Sequence, residues 1–87
     1  MERSDCYYDF IATGQHDASH EEDLPGGGYL QILGRETGLK GIEVFGGVYK
    51  ADGSRAAEEH FVDVETDTLD AAIDLMKARL SAHTDGK

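Results

Sequence analysis

Cysteine, proline and tryptophan are almost missing from this chain of 87 residues, which has one Cys, one Pro and no Trp. Because Cys6 is the only cysteine, no intrachain disulfide and no cysteine-rich metal site can form. No apolar run approaches the roughly 20 residues that span a bilayer. The N-terminus also lacks the basic and then apolar profile of a signal peptide. From these absences we expect a cytoplasmic protein with no membrane partner.

Basic residues are also scarce, since 8 Lys and Arg face 18 Asp and Glu, for a formal net charge of −10. Binding to nucleic acid or to an anionic membrane needs cationic side chains, so direct nucleic-acid binding is not expected. The same negative field attracts a basic protein surface and speeds the encounter with it. Solubility or adaptation to high salt would explain the acidity equally well.

The apolar pattern predicts four strands and one helix. Residues 6–13 alternate over aromatic and β-branched side chains, which is typical of a strand. The other predicted strands are 29–33, 40–50 and 55–66. Within the third, Gly46 and Gly47 indicate a bulge or a close approach of another backbone, and Asp52-Gly53 is typical of a hairpin turn.

One stripe of apolar residues predicts a helix near the C-terminus, namely Leu69, Ala72, Ile73, Met76 and Leu80. Asp67 or Thr68 can cap its N-terminus. We therefore expect one α+β domain over 1–87, built as a four-stranded antiparallel meander with the C-terminal helix on one face (β-β-β-β-α, two layers). Residues 14–28 are expected to form a long acidic, glycine-rich loop, and 84–87 a frayed tail.

A single helix covers only one face of such a sheet. The most uniformly apolar set is expected beneath the helix: Cys6, Tyr8, Phe10, Ala12, Leu30, Ile32, Ile42, Val44, Val62 and Val64. The opposite face would then mix rings with carboxylates, which is typical of an interaction surface. The predicted partner-binding residues are Tyr7, Asp9, Tyr29, Glu43, Phe45, Phe61, Asp63 and Glu65, with Asp17, Glu21, Glu22 and Asp23 as an acidic rim. Packing of this face in a homodimer, or beneath the long loop, is the alternative.

The leading functional hypothesis is an acidic protein-binding module that inhibits a partner by masking a basic surface, including one that binds nucleic acid. Its carboxylates would take the places of phosphates, and the chain would need no cofactor. Toxin-immunity proteins and phage-encoded anti-CRISPR proteins are analogous in size and charge. No nucleophile stands in a catalytic context, so an enzyme is not expected.

Two other readings stay open. His16 and His20 stand four residues apart, as in helical zinc sites, and could form a small metal-binding or enzymatic domain. The sequence is not HExxH, however, and two solvated histidines would look the same. A structural homo-oligomer is the third reading.

Overall fold

The computed structural model describes residues 3–36 and 41–83. Its main elements are α1 (Asp5–Thr13), β1 (Ala18–Asp23), β2 (Tyr29–Glu36), β3 (Ile42–Tyr49), β4 (Arg55–Val64) and α2 (Leu69–Leu80), with 3₁₀ turns at Pro25–Gly27 and Ser81–His83. The four strands form one antiparallel sheet in the order β1-β2-β3-β4. The predicted α+β fold, a meander with a C-terminal helix packed on it, is therefore confirmed.

Helix α2 packs on one face of the sheet through the predicted stripe. The core that it forms with β2 and β3 consists of Leu30, Ile32, Val44, Val48, Ile73, Met76 and Leu80, all buried. Each such side chain contributes about 1.5–3 kcal/mol by leaving water. The Thr68 side chain accepts a hydrogen bond from the Ala71 amide and so caps the helix.

Glycines on the sheet let α2 approach closely. A Cβ built on Gly46 would lie 2.6 Å from Met76 Cγ, and one built on Gly34 would lie 2.8 Å from Leu69 Cδ1. Gly46 and Gly47 pair with Ile32 and Gln31 in unbroken register. The glycine pair is therefore not a bulge, and what approaches it is not another backbone but side chains, those of Met76 and Leu80 at Gly46 and that of Tyr49 at Gly47.

The prediction of a strand over 6–13 is wrong, because Asp5–Thr13 is the nine-residue helix α1. Cys6, Tyr7 and Phe10 are spaced by three and four residues, which places them on one side of a helix. Ser4 stands at the N-cap position and Asp5 in the first turn, so the sequence does carry a helix-start signal. The aromatic alternation concealed it.

The prediction of a loop over 14–28 is also wrong, because this segment contains β1. Ala, Glu and Asp are depleted in strands in general, so the residues of β1 give little local signal. Pairing with β2 over its full length, from Ala18↔Gly34 to Asp23↔Tyr29, holds the segment extended. The meander keeps four strands because β1 takes the place of the strand expected at 6–13.

A bulge in β4 exchanges the two faces of that strand near its end. Ile42 pairs with Val64 and Val44 pairs with Phe61, so two residues of β4, Val62 and Asp63, oppose the single residue Glu43 of β3. Asp63 takes a left-handed conformation there, with φ 55°. Phe61 consequently lies on the α2 side of the sheet, whereas Val62 is 60% exposed. The sequence predicts the reverse arrangement, with Val62 beneath the C-terminal helix and Phe61 on the opposite face.

The predicted tail at 84–87 and the first residue of the strand predicted over 40–50 lie outside the described residues. Within the part of the chain that the structure describes, neither helix has the length and hydrophobicity needed to cross a bilayer.

Candidate functional site

Helix α1 covers the face of the sheet that α2 leaves open. Phe10 packs with Leu33 and Phe45, and all three are buried. Tyr7 makes an edge contact with Phe45, at 5.5 Å between ring centroids. The sheet face that we predicted to bind a partner is therefore occupied by the protein's own N-terminal helix.

A carboxylate from β4 holds the N-terminus of α1. Glu58 accepts hydrogen bonds from the Ser4 amide, at 3.2 Å, and from the Ser4 hydroxyl. The Tyr49 hydroxyl donates to the same carboxylate at 2.8 Å. Burial, together with this bond to Glu58, raises the pKa of Tyr49. A negative charge at a helix N-terminus is favoured by the helix dipole, so Glu58 both fixes and stabilises α1.

A guanidinium from β2 holds the other end of the helix. Arg35 Nη1 donates to the main-chain oxygens of Phe10, at 2.7 Å, and Gly14, at 3.1 Å. Its Nε donates to Glu43 Oε1 at 2.8 Å, and its guanidinium carbon lies 4.1 Å from the centre of the Phe10 ring. The carbonyls that a helix leaves without partners at its C-terminus are thereby satisfied by a buried cation.

His60 completes this cluster beneath α1. Its Nε2 lies 2.6 Å from Glu43 Oε2, and the two side chains are 29% and 13% exposed. Burial raises the pKa of Glu43, but the hydrogen bonds and charges of His60 and Arg35 outweigh burial and hold it below its ordinary value. Both Glu43 oxygens are engaged, and Phe10 stacks edge-on against the imidazole. Glu43, Arg35 and His60 thus form a hydrogen-bonded cluster that holds α1 on the sheet.

The environment of Cys6 does not favour a role as a nucleophile. It is half-buried on the inner side of α1. Burial and the neighbouring carboxylates of Glu58, Asp9 and Glu43 raise the pKa of its thiol. A thiol with a raised pKa carries little thiolate near neutral pH, which makes it a poor nucleophile.

The predicted partner-binding residues are thus dispersed. Glu43 and Phe45 lie beneath α1, Tyr7 is half-buried in the same layer, and Phe61 packs on the α2 side. The prediction of one open aromatic and acidic face is wrong for these four. The physical reason is that residues 5–13, which the sequence predicts as a strand, form a second helix, and this helix packs on the sheet face that α2 does not cover. Tyr29 is half-buried at the start of β2, and the exposed remainder of the set is Asp9 on α1 and Asp63 and Glu65 near the end of β4.

The acidic rim, by contrast, forms one structural feature. Asp17 immediately precedes β1, and Glu21, Glu22 and Asp23 lie within it, all four exposed. Among the described strands β1 has a single neighbour, β2, so its outer side is an edge of the sheet. We call β1 together with Asp17 the acidic edge.

The contacts of the acidic edge leave most of its charge uncompensated. Asp17 accepts a hydrogen bond from the Glu36 amide at 2.8 Å. Glu21 accepts one from the Tyr29 hydroxyl, and burial together with that bond raises the pKa of Tyr29 to about 12. Lys77 Nζ lies 3.9 Å from Glu22 Oε1, and His20 Nε2 lies 3.2 Å from the same oxygen. The edge is therefore a strip of negative charge with free strand backbone beside it.

The histidine pair does not form the expected helical site. His20 lies in β1 and His16 precedes that strand, so the four-residue spacing does not place both imidazoles on one face of a helix. Within the described residues no three His, Cys, Asp or Glu side chains are grouped so that they could hold a metal ion.

The chain was compared with protein-family models, curated proteins and solved structures. None matches it. The acidic edge is therefore the feature of the fold that bears most directly on function.

Sequence reasoning missed the two residues that fix α1, Arg35 and Glu58. Arg35 lies beyond the strand predicted over 29–33, but it belongs to β2 and is buried. Glu58 lies 54 residues from its partner Ser4. The N-cap signal at Ser4 could have identified α1, but nothing in the sequence names the side chains that such a helix contacts.

Proposed function

We propose that this chain is an acidic protein-binding module that takes up a basic, extended segment of a partner protein along the acidic edge. The observation that carries the proposal is the position of β1, a regular edge strand with four exposed carboxylates on or beside it. An exposed edge strand offers its free N–H and C=O groups to another chain, and the side chains on either face select the partner.

The two edges of the sheet differ in their suitability for pairing. The register of β4 against β3 shifts at two places, between Ile42 and Val44 and between Val48 and Tyr49. Bulges twist an edge away from further pairing. The register of β1 against β2 is continuous over all six residues, so β1 is the edge on which a further strand fits.

Charge then decides what kind of strand fits. A second copy of β1 would bring three more carboxylates and no Lys or Arg to this edge. In parallel, in-register pairing it would place carboxylate directly against carboxylate, which destabilises cross-strand pairs. A strand with Lys or Arg on alternate positions would place all of these cations on one face, where they would meet Glu21 and Asp23. Pairing of β1 with a second copy of β1 is therefore disfavoured, and pairing with a basic strand is favoured. Such specificity rests on repulsion as well as attraction.

Masking of a basic surface is the proposed consequence. Where that surface binds nucleic acid, the carboxylates of the acidic edge compete for the same cations as the phosphates do, and the chain acts as an inhibitor. Aromatic anchors are not part of the proposal, because Phe45 is buried beneath α1, and Tyr7 and Phe61 are half-buried against the two cores. The cytoplasm stays the proposed compartment, since a chain with Cys6 as its only thiol needs no oxidising environment to fold.

The direct test uses a synthetic peptide in which Lys and Val alternate, titrated into the ¹⁵N-labelled protein and followed by the amide shifts. We expect the largest shifts along β1, and binding that weakens as salt rises from about 50 to about 200 mM. A peptide in which Glu replaces Lys should not bind. Shifts confined to β4 or to the outer side of α1 would contradict the proposal.

A matched pair of variants separates the edge from the overall charge. Glu21→Gln, Glu22→Gln and Asp23→Asn together remove three charges from β1, whereas Asp67→Asn, Asp70→Asn and Asp74→Asn remove three exposed charges at or near α2. We expect the first triple variant to lose about tenfold or more in affinity for the Lys/Val peptide, and the second about twofold. Equal losses would show that only the net charge matters and would refute the assignment to β1.

A further inference from the structure

A second feature, independent of the acidic edge, is a groove at one end of the sheet. It lies where the 3₁₀ turn after β1, the β3–β4 turn and the chain after α2 meet, and its volume is about 510 Å³. The floor and walls include the apolar side chains of Leu24, Val48 and Ala82. Val48 is buried, and Leu24 packs against the same core. A groove of this size with an apolar floor can accept a small organic molecule.

The charge of this groove is opposite to that of the chain. Its lining contains Lys50, Arg55 and His83, and no described Asp or Glu. Lys50 and His83 make no ion pair with any carboxylate in residues 3–36 and 41–83, and Arg55 approaches Glu58 no closer than 3.9 Å. In a chain of net charge −10, the groove gathers three of its few basic side chains around one space.

Nearby negative groups do not cancel this charge. Asp52, in the adjoining turn, accepts hydrogen bonds from the Ser54 amide and hydroxyl, and these bonds are the main cause of its lowered pKa, with a smaller contribution from Lys50. The C-terminus of α2 adds about half a negative elementary charge. Lys50 and Arg55 carry two positive charges between them, which exceeds the one negative charge of Asp52 and the half charge of the helix end together, and both are exposed at the rim.

We infer that this groove is a binding site for a small organic anion, namely a carboxylate or phosphate attached to an apolar body. The anionic group would lie between Lys50, Arg55 and His83, of which Lys50 and Arg55 can donate charge-assisted hydrogen bonds and His83 a ring N–H. The apolar body would rest on Leu24 and Val48. A guanidinium at the rim suits either anion, because its fork of donors matches the oxygens of both groups.

The experiment titrates the ¹⁵N-labelled protein with four probes: octanoate, octyl phosphate, octan-1-ol and inorganic phosphate. We expect the two amphiphilic anions to shift the amides of Gly26, Lys50, Ala51 and His83 in a saturable manner. Octan-1-ol tests the apolar floor alone and inorganic phosphate tests the cations alone, and each should bind at least about tenfold more weakly. The ratio of octanoate to octyl phosphate affinity distinguishes the two head groups.

Variants then test the assigned side chains. Lys50→Gln with His83→Gln should weaken octanoate about tenfold. Lys77→Gln, which removes an exposed ammonium outside the groove, is the matched control and should leave the affinity within about twofold. The inference fails if octan-1-ol binds as well as octanoate, if Lys77→Gln is as harmful as the groove variant, or if no probe shifts these amides.

Discussion

The Arg35 guanidinium donates to the main-chain oxygen of Phe10 at 2.7 Å, across 25 residues of sequence. The bond is buried and joins the C-terminal turn of α1 to the centre of the sheet. The same side chain pairs with Glu43 at 2.7 Å, and the two side chains are only 9% and 13% exposed. In the folded chain, oxygens of Glu43, Phe10 and Gly14 thus take the place of most of the water that would hydrate the Arg35 guanidinium.

Replacing Arg35 should be among the most destabilising substitutions in the chain. Arg35→Met leaves Glu43 and two helix carbonyls buried without their main donor, and removal of one partner from a buried pair costs about 3–5 kcal/mol. We expect a loss of about 3 kcal/mol in the free energy of unfolding, measured by urea denaturation. Arg79→Met is the control, because Arg79 pairs with Glu59 at the same distance of 2.7 Å but is half-exposed. That pair should contribute less than about 1 kcal/mol.

The lowered pKa of Glu43 predicts a dependence of stability on acid. Its ordinary value is 4.5, and the pKa in the folded chain is lower. The stabilisation is therefore fully present above about pH 4.5 and is lost as the pH falls through the lower folded value. Between about pH 5 and about pH 3, the free energy of unfolding should fall less steeply in Glu43→Gln than in the parent chain, by up to about 1.4 kcal/mol per pH unit for one proton.

The control for this measurement is Asp74→Asn, which removes an exposed carboxylate from α2. Its urea midpoint should follow the parent curve across the same pH range. If the slopes for Glu43→Gln and the parent chain coincide, the contacts of Glu43 with His60 and Arg35 do not stabilise its charged form.

Gly46 sets how closely α2 approaches the sheet. A Cβ there would lie 2.7 Å from Leu80 Cδ1 and 2.9 Å from Met76 Sδ, so Gly46→Ala should destabilise the chain by about 1–3 kcal/mol through overpacking. Thermal unfolding measures the loss. Gly14→Ala is the matched control, because its Cβ would meet only Arg35 Nη1 at an ordinary 3.6 Å. An unchanged melting temperature in Gly46→Ala would mean that α2 can move outward at no cost.

Asp63 occupies the bulge of β4 with φ 55°. The left-handed region costs roughly 1–2 kcal/mol for a residue with a Cβ, less for Asp, and nothing for Gly. Asp63→Gly should therefore match or slightly exceed the parent stability, whereas Asp63→Val should lose about 1–2 kcal/mol. Chemical denaturation of both variants checks this order. A Val variant as stable as the Gly variant would exclude strain at this position.

The fold could be predicted from the sequence where one pattern dominated. The stripe from Leu69 to Leu80 has helical spacing alone, and α2 begins and ends with it. Residues 6–13 satisfy both periods, since the alternation of aromatic side chains coexists with contacts at three and four residues. The helix forms because Glu58 and Arg35 meet its two ends, and these tertiary contacts cannot be seen in a local window.

The sequence predicts the acidic character of the acidic edge but not that its residues form a strand. Asp17, Glu21, Glu22 and Asp23 stand out as a cluster of charge in any reading of the chain. Their strand exists only because β2 pairs with it, which is a property of the partner strand. The face assignments of Phe61 and Val62 failed for a different reason, because one extra residue in β4 reverses the alternation beyond it.

The meander arranges the four strands so that each pairs with its successor in the chain. The sheet can therefore assemble from neighbouring hairpins, and such local contacts form early in folding. The contacts of α1 instead join residues 25 and 54 positions apart, on strands that must already be in place. We expect the N-terminal helix to dock last. Hydrogen exchange should then find α1 opening before the strands, so that Phe45 and His60 meet water briefly while the rest of the chain is still folded.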